Sequence, residues 1–298
     1  FLRTDESDYR YRGYMQKAAT SIQARIQNCP NVKLMSKSEF YVLLCFYIIA
    51  MSVEICSGDS HYCHIFYTKC LALIRDYGGY EKVFTDFVDD NDVKWLISNL
   101  QYHDVLSSHT AIHGSSARKE FEYVFKQKRI LDSSDYGIDP FQGCNQLIYL
   151  VLSDITYHDV LLKQEWAVIN STTDGSIIDS NYSLALIKRE FYKKTVRVAD
   201  KLSKEIQECQ PDKQKLELFM TDNVDQHILL FELIRLSCQL YLLQNIRKVP
   251  PSAHELQSLL HDALEITDKL LGTRMMTCMA FPILVSGMTC TEAEDRQE

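Results

Sequence analysis

The residues whose types and spacing come nearest to chemistry are His103 and Asp104, neighbours in the stretch Trp95-Leu96-Ile97-Ser98-Asn99-Leu100-Gln101-Tyr102-His103-Asp104-Val105-Leu106. An imidazole beside a carboxylate, with His61, His64, His109 and His113 as further nitrogen donors, is the raw material of a two-cation site that activates water against a phosphoester. The remaining ligands do not appear at helix-separated positions, so the pair reads as polar side chains bound to neighbouring backbone. Cys144 beside Gly143 has no identifiable base and reads as a buried thiol. Gly-x-Ser-x-Gly, Gly-x-Gly-x-x-Gly and phosphate-loop patterns are absent. The ten cysteines contain no Cys-x-x-Cys, so zinc-ribbon and zinc-finger spacings are missing, and free thiols of a reducing compartment are expected. Catalytic residues and metal ligands are therefore both expected to be none.

These residues need helices to hold them. The 298 residues include 10 Gly and 6 Pro, well below the typical ~7% and ~5%. Such scarcity disfavours turn-rich β architecture. Ser36 with Glu39 forms a capping box ahead of an apolar run to Ile55, and a helix over 61–76 ends at Gly78-Gly79. Val93, Leu96, Ile97, Leu100 and Val105 share one face of a helix over 91–107. Further helices are predicted over 9–27, 119–131, from 142 to 155 or onward to 168, and as long amphipathic helices over 182–208 and 222–248. Ser252 with Glu255 opens another to Leu271, closed by Gly272. Pro282 should kink or end a helix over 275–285, and Thr291 with Glu294 opens a last box. Residues 170–180 are Ser/Thr/Asp/Gly-rich and read as an exposed loop. Asp139-Pro140 marks a helix entry. The expected fold is all-α, an irregular, helical-repeat-like bundle of many helices, forming a single domain over 1–298.

One internal echo is visible. Ser98 to Leu106 matches Ser153 to Leu161, and both carry Tyr-His-Asp-Val-Leu on a predicted helix. Outside these segments the similarity fades.

The net charge of −8, with no long Lys/Arg cluster, argues against direct nucleic-acid binding. The apolar run at 40–53 is too short to span a bilayer, so a core helix and no membrane partner are expected. The chain begins without Met or a signal peptide, as an excised piece of a longer intracellular protein would.

Four segments in order carry a resemblance. Val53-Glu54-Ile55-Cys56-Ser57-Gly58-Asp59 precedes a helix ending in Leu73-Ile74-Arg75-Asp76-Tyr77-Gly78-Gly79. The Trp95 to Leu106 stretch is the second, and Ile138-Asp139-Pro140-Phe141-Gln142-Gly143-Cys144 is the third. Phe281-Pro282-Ile283-Leu284-Val285-Ser286-Gly287 followed by Glu294-Asp295-Arg296 is the fourth. Together they resemble the second regulatory-domain family of fungal Zn2Cys6 zinc-cluster transcription factors, closest in look to the yeast activators of lysine biosynthesis and GABA utilisation. Sterol-response regulators belong to the same broader group.

The resemblance implies a nuclear, non-enzymatic domain of a transcription activator that senses a small-molecule effector, most naturally from amino-acid or nitrogen metabolism. It implies homodimerisation of the full-length factor, coactivator or repressor partners, and DNA contact through a separate zinc cluster. Zinc is expected in that cluster and no cofactor in this chain. The six-cysteine cluster and the helices expected after Arg296 are missing from the sequence. At the matching positions, Trp95, Tyr102, His103 and Asp104 are expected to form one wall of an effector pocket. Phe281 to Met288 are expected to form a mobile lid, with Pro282 and Gly287 as hinges. The alternatives are a ligand-free dimerisation or interaction scaffold of the same factor, a sterol sensor and, more distantly, an HD-type metal phosphohydrolase built on His103-Asp104.

Overall fold

Helices account for all the regular structure among the described residues, and no strand occurs there, as the scarcity of Gly and Pro leads one to expect. The computed structural model describes residues 35–57, 63–108, 142–171, 180–218 and 223–291, and all of 13–24 except 15, 19 and 23. In chain order the helices are α1 (Lys37–Ser57), α2 (Cys63–Tyr77), α3 (Gly79–Asp86), α4 (Asn91–Ser108) and α5 (Gln146–Ser171). There follow α6 (Ser180–Glu208), the single turn α7 (Lys213–Leu216), α8 (Val224–Asn245), α9 (His254–Leu270) and α10 (Ala280–Thr289), with a 3-10 segment at Arg274–Cys278 before α10. Two compact units divide within α4, after Asp104.

In the first unit α1 starts where the capping box places it. The Ser36 amide donates to Glu39 Oε2 at 2.9 Å, and the Glu39 amide donates to Ser36 Oγ at 3.3 Å. The helix is longer than its most apolar stretch, and 37–55 is long and apolar enough to cross a membrane by length and composition. It buries one face, on which Phe40, Leu44, Ile48 and Met51 are at most 1% exposed, and α1 packs on α2, while Ile49 and Ile55 stay exposed. Phe40 stacks near Tyr77 and Phe87, with ring centroids 4.2 and 5.6 Å away.

Gly78 and Gly79 take φ of 130° and 83°, conformations that close α2 at no steric cost. The chain restarts at once in α3, which the sequence reading had not anticipated. Tyr80, Val83 and Phe84 bury its inner face. Asp90 then caps α4, its Oδ1 accepting from the amides of Asp92 and Val93 at 3.0 and 3.1 Å.

In the second unit α8 is the axis, with α5, α6, α9 and α10 packed around it. Leu233, Ile234, Cys238 and Leu240 are fully buried, while a stripe through Asp225, Ile228, Glu232, Arg235 and Gln239 stays exposed or half-exposed. α5 starts at Gln146, past a turn with Gly143 at φ 51°, and runs on to Ser171.

Two start signals resolve differently from expectation. Ala253, not Ser252, is the N-cap of α9, and no side chain caps it. The Ala253 amide donates to the Pro250 carbonyl at 2.9 Å, and this proline-paced turn sets the first helical residue one position later than a Ser252–Glu255 box requires. Pro282 neither kinks nor ends a helix. It stands in the first turn of α10, where a missing amide hydrogen costs nothing.

The helix expected over 9–27 is helical where described. The expected 119–131 helix, the Asp139-Pro140 entry, the core of the 170–180 loop and the Glu294 half of the last box lie outside the described residues.

Candidate functional site

The second unit holds a cleft of about 700 Å³, within the ~300–1,000 Å³ range of small-molecule sites. α5 supplies Asp159, Leu162, Lys163 and Trp166, spaced i, i+3, i+4 and i+7 and so on one helical face. α6 supplies Phe191, Tyr192, Thr195, Val196 and Asp200. The segment 245–249, which leaves α8, closes the third side.

The wall is aromatic. The Trp166 ring lies 5.1 Å from Phe191 and 5.6 Å from Tyr192, and Lys188 Nζ sits 5.8 Å over the Trp166 ring. Such tilted contacts suit the quadrupoles of the rings. Phe191 is buried, whereas Tyr192 and Val196 are 56% and 57% exposed, so the cleft is open on the α6 side.

Asp159 lies at its buried edge, 3% exposed. Its Oδ2 accepts from Lys163 Nζ at 2.6 Å and from the Tyr241 hydroxyl at 3.4 Å. Its Oδ1 is buried without a hydrogen-bond partner among the described residues. Burial, then the Asp159 charge and hydrogen bond, push the Tyr241 pKa up, which keeps the phenol a donor. Arg247 Nη2 pairs with Asp200 Oδ1 at 2.6 Å across the α6 side. The removal of water around the Lys248 ammonium lowers its pKa; the Asp159 charge opposes this and the Lys163 charge adds to it.

The internal echo gains a structural meaning here. Asp104 and Asp159, equivalent in the two Tyr-His-Asp-Val-Leu segments, are both 3% exposed. Each accepts a hydrogen bond from a tyrosine hydroxyl on another helix, Tyr67 for Asp104 and Tyr241 for Asp159. The preceding Tyr-His pairs also match, with edge-on rings 5.4 Å apart at Tyr102–His103 and 5.6 Å apart at Tyr157–His158.

The residues favoured from sequence fall in both units. In the first, Trp95 is half-buried, Tyr102 and Asp104 are buried, and burial lowers the His103 pKa to about 4. Phe281 and Pro282 are buried in the second unit, with Phe281 6.2 Å from the Tyr241 ring, while Gly287 and Met288 face outward. Phe281 is thus one ring away from the partner of Asp159. The sequence reading passed over Asp159, Trp166 and Lys248; the signals that lead to them are the echo of Tyr102-His103-Asp104 and the i, i+3, i+4, i+7 face it opens.

A second recess, in the first unit, is lined by Asp86, Asp89, Asp90 and Asp92. Three of these four carboxylates have structural duties: Asp86 accepts from Tyr77 at 2.8 Å, Asp90 caps α4, and Asp92 accepts from Tyr41 at 3.4 Å. Among the described residues no group of three His, Cys, Asp or Glu side chains is placed to hold a metal ion. Burial raises the Cys144 pKa to about 11, which favours a protonated thiol over a nucleophile.

The sequence of this chain, all-helical among its described residues, matches known proteins over most of its length. The chain belongs to the fungal specific transcription factor domain family, which matches residues 3–298. It is similar to the uncharacterized transcriptional regulatory protein C965.10 of Schizosaccharomyces pombe, at 25% identity over 284 residues, covering 92% of this chain and 48% of the relative. It is similar also to the transcriptional activator protein UGA3 of Saccharomyces cerevisiae, at 23% identity over 290 residues, covering 88% of this chain and 50% of the relative. The chain spans about half the length of these relatives. No solved structure matches it.

Proposed function

We propose that the chain is the effector-sensing regulatory region of a nuclear fungal zinc-cluster transcription activator, and that the cleft of the second unit is the effector site. The observation that carries this reading is the buried Asp159 at the edge of an aromatic cleft, with one oxygen uncommitted. Membership of a transcription-factor family supports a regulatory role over a catalytic one, and similarity to a transcriptional activator supports an activator; an effector from amino-acid or nitrogen metabolism is what the resemblance of the four sequence segments implies. In this reading DNA is reached through a zinc cluster elsewhere in the factor, which acts as a homodimer and engages coactivators or repressors.

Sensing requires an effector that binds one packing of the helices better than another. The path for such a shift is short: Asp159 touches Tyr241 on α8, and Tyr241 touches Phe281 on α10. A thermal-shift screen of amino acids, amines, organic acids and sterols tests the proposal. At a hundredfold excess over Kd an effector adds about 2.7 kcal/mol, which for a unit of this size raises Tm by roughly 5–10 °C. The shift is expected to vanish in Trp166→Ala.

The interaction-scaffold reading has its own observation: α6 exposes Leu186, Ile187, Tyr192 and Val196. A stable dimer with no stabilising compound in the screen favours it instead.

A further inference from the structure

Ala185, Arg189, Tyr192 and Val196 follow one another at i, i+4, i+7 and i+11 and so form one row along α6. All four are exposed. With Lys188, Lys193 and Arg197 they line a shallow recess of about 640 Å³ on the helix surface. Leu186 and Ile187, also exposed, extend its apolar surface toward the N-terminal end of the helix. Tyr192 is held in place from the cleft side, its ring 5.6 Å from that of Trp166.

The recess carries charge of one sign. Four of its seven lining residues are Lys or Arg, and none is Asp or Glu. Residues 185–197 hold five Lys/Arg and one Glu, in a chain whose net charge is −8. Lys193 pairs with Glu190 at 2.7 Å, and Lys188 Nζ lies over the Trp166 ring. Arg189 and Arg197 enter no ion pair or hydrogen bond among the described residues. Glu190 feels the excess: the Lys193 hydrogen bond and charge first, then the Arg189 and Arg197 charges, hold its pKa down. Farther along α6 the cations are matched, Lys201 by Glu205 and Lys204 by Glu208.

From this juxtaposition we infer that the outward face of α6 docks an acidic amphipathic helix of a partner protein, its apolar residues on Ala185, Tyr192 and Val196 and its carboxylates on Arg189 and Arg197. An apolar row flanked by cations complements a helix whose apolar face is flanked by acids. Tyr and Arg are also the side chains that carry much of the binding energy at protein interfaces. A second copy set on this face by a two-fold axis meets it with like charges. A nucleic-acid strand satisfies the guanidinium groups but leaves the apolar row without a partner. The inference does not depend on what the cleft binds.

The test titrates the full 298-residue chain into a fluorescein-labelled peptide and follows its anisotropy. The peptide is Asp-Leu-Glu-Asp-Leu-Phe-Glu-Asp-Leu-Leu-Glu-Asp, whose apolar residues share one helical face. One control replaces every Asp and Glu by Asn and Gln. The other keeps the composition and scatters the apolar residues around the helix. Saturable binding of the acidic peptide is expected, about tenfold or more weaker for either control, and weaker for all as salt is raised from about 50 to about 500 mM.

Arg189→Glu with Arg197→Glu in one chain reverses two exposed charges that pair with nothing described. Its Tm should stay at the parent value while affinity for the acidic peptide falls about tenfold or more. Failure of that peptide to bind, or equal affinity for either control, overturns the inference. So does an oligothymidylate strand that binds more tightly than the peptide and is lost in the double variant, which gives the face to nucleic acid. Self-association of the parent in sedimentation velocity, lost in the double variant, gives it to a second copy instead. A Tm lowered by the double substitution without peptide gives it to this chain's own residues.

Discussion

Burial keeps the His103 imidazole neutral by lowering its pKa to about 4. In the unfolded chain a histidine titrates near ~6.5. Above that value neither state carries the proton. Below it the unfolded chain gains a proton that the native state refuses, so stability is lost as pH falls from about 6.5 towards 4, by up to ~1.4 kcal/mol per pH unit. Urea midpoints at pH 7 and pH 5 read this directly; the midpoint should be lower at pH 5, and the difference should shrink in His103→Gln. His227, whose pKa burial also lowers, contributes in the same direction and accounts for a remainder. A second residue-scale expectation concerns Tyr241. Tyr241→Phe removes one donor from Asp159 and should cost about 1 kcal/mol in chemical denaturation, with a smaller effector-induced Tm shift because the link from Asp159 to α10 is cut. At this scale the sequence was half legible. It directed attention to Tyr102-His103-Asp104 and recorded the copy at Tyr157-His158-Asp159, but burial and cleft lining depend on what packs opposite, and no spacing within α5 reports the approach of α6 and residues 245–249.

The helices were more legible than their ends. Capping at Ser36 is local and reciprocal, so the four residues from Ser36 to Glu39 were enough to place the start of α1. The same pattern at Ser252 misled by one residue, because the Pro250-Pro251 turn sets where α9 begins. The two sites therefore respond differently to the same change. Ser36→Ala should cost about 1 kcal/mol, while Ser252→Ala should leave the urea midpoint close to the parent value. α3 was hidden because Gly78-Gly79 signals only a stop, and a restart after it needs the burial of Tyr80 and Phe84, a tertiary fact. α8 was legible as an amphipathic helix over 222–248, but not as the central one, and the structure packs four others against it. Leu233→Ala, which empties a fully buried position of α8, should cost ~2–5 kcal/mol. Comparable truncation of the exposed Val196 on α6 should change stability by less than ~0.5 kcal/mol, while weakening whatever the cleft binds.

On the scale of the molecule, the chain holds two compact units, each with its own core and its own buried aspartate tied to a tyrosine. The all-α class followed from composition and capping, and the family was legible in four short segments in order. Function sits in a less legible layer, where three distant segments of one unit meet. The central claim is that the cleft between α5, α6 and the 245–249 segment receives the effector. Hydrogen–deuterium exchange, with and without a compound that raises Tm, tests it most directly. The account predicts slowed exchange at 159–166, 191–200 and 245–249, with a further change in α10 through Tyr241 and Phe281. Protection confined to α4 around Trp95 and Asp104, with 159–166 and 245–249 unchanged, would contradict it.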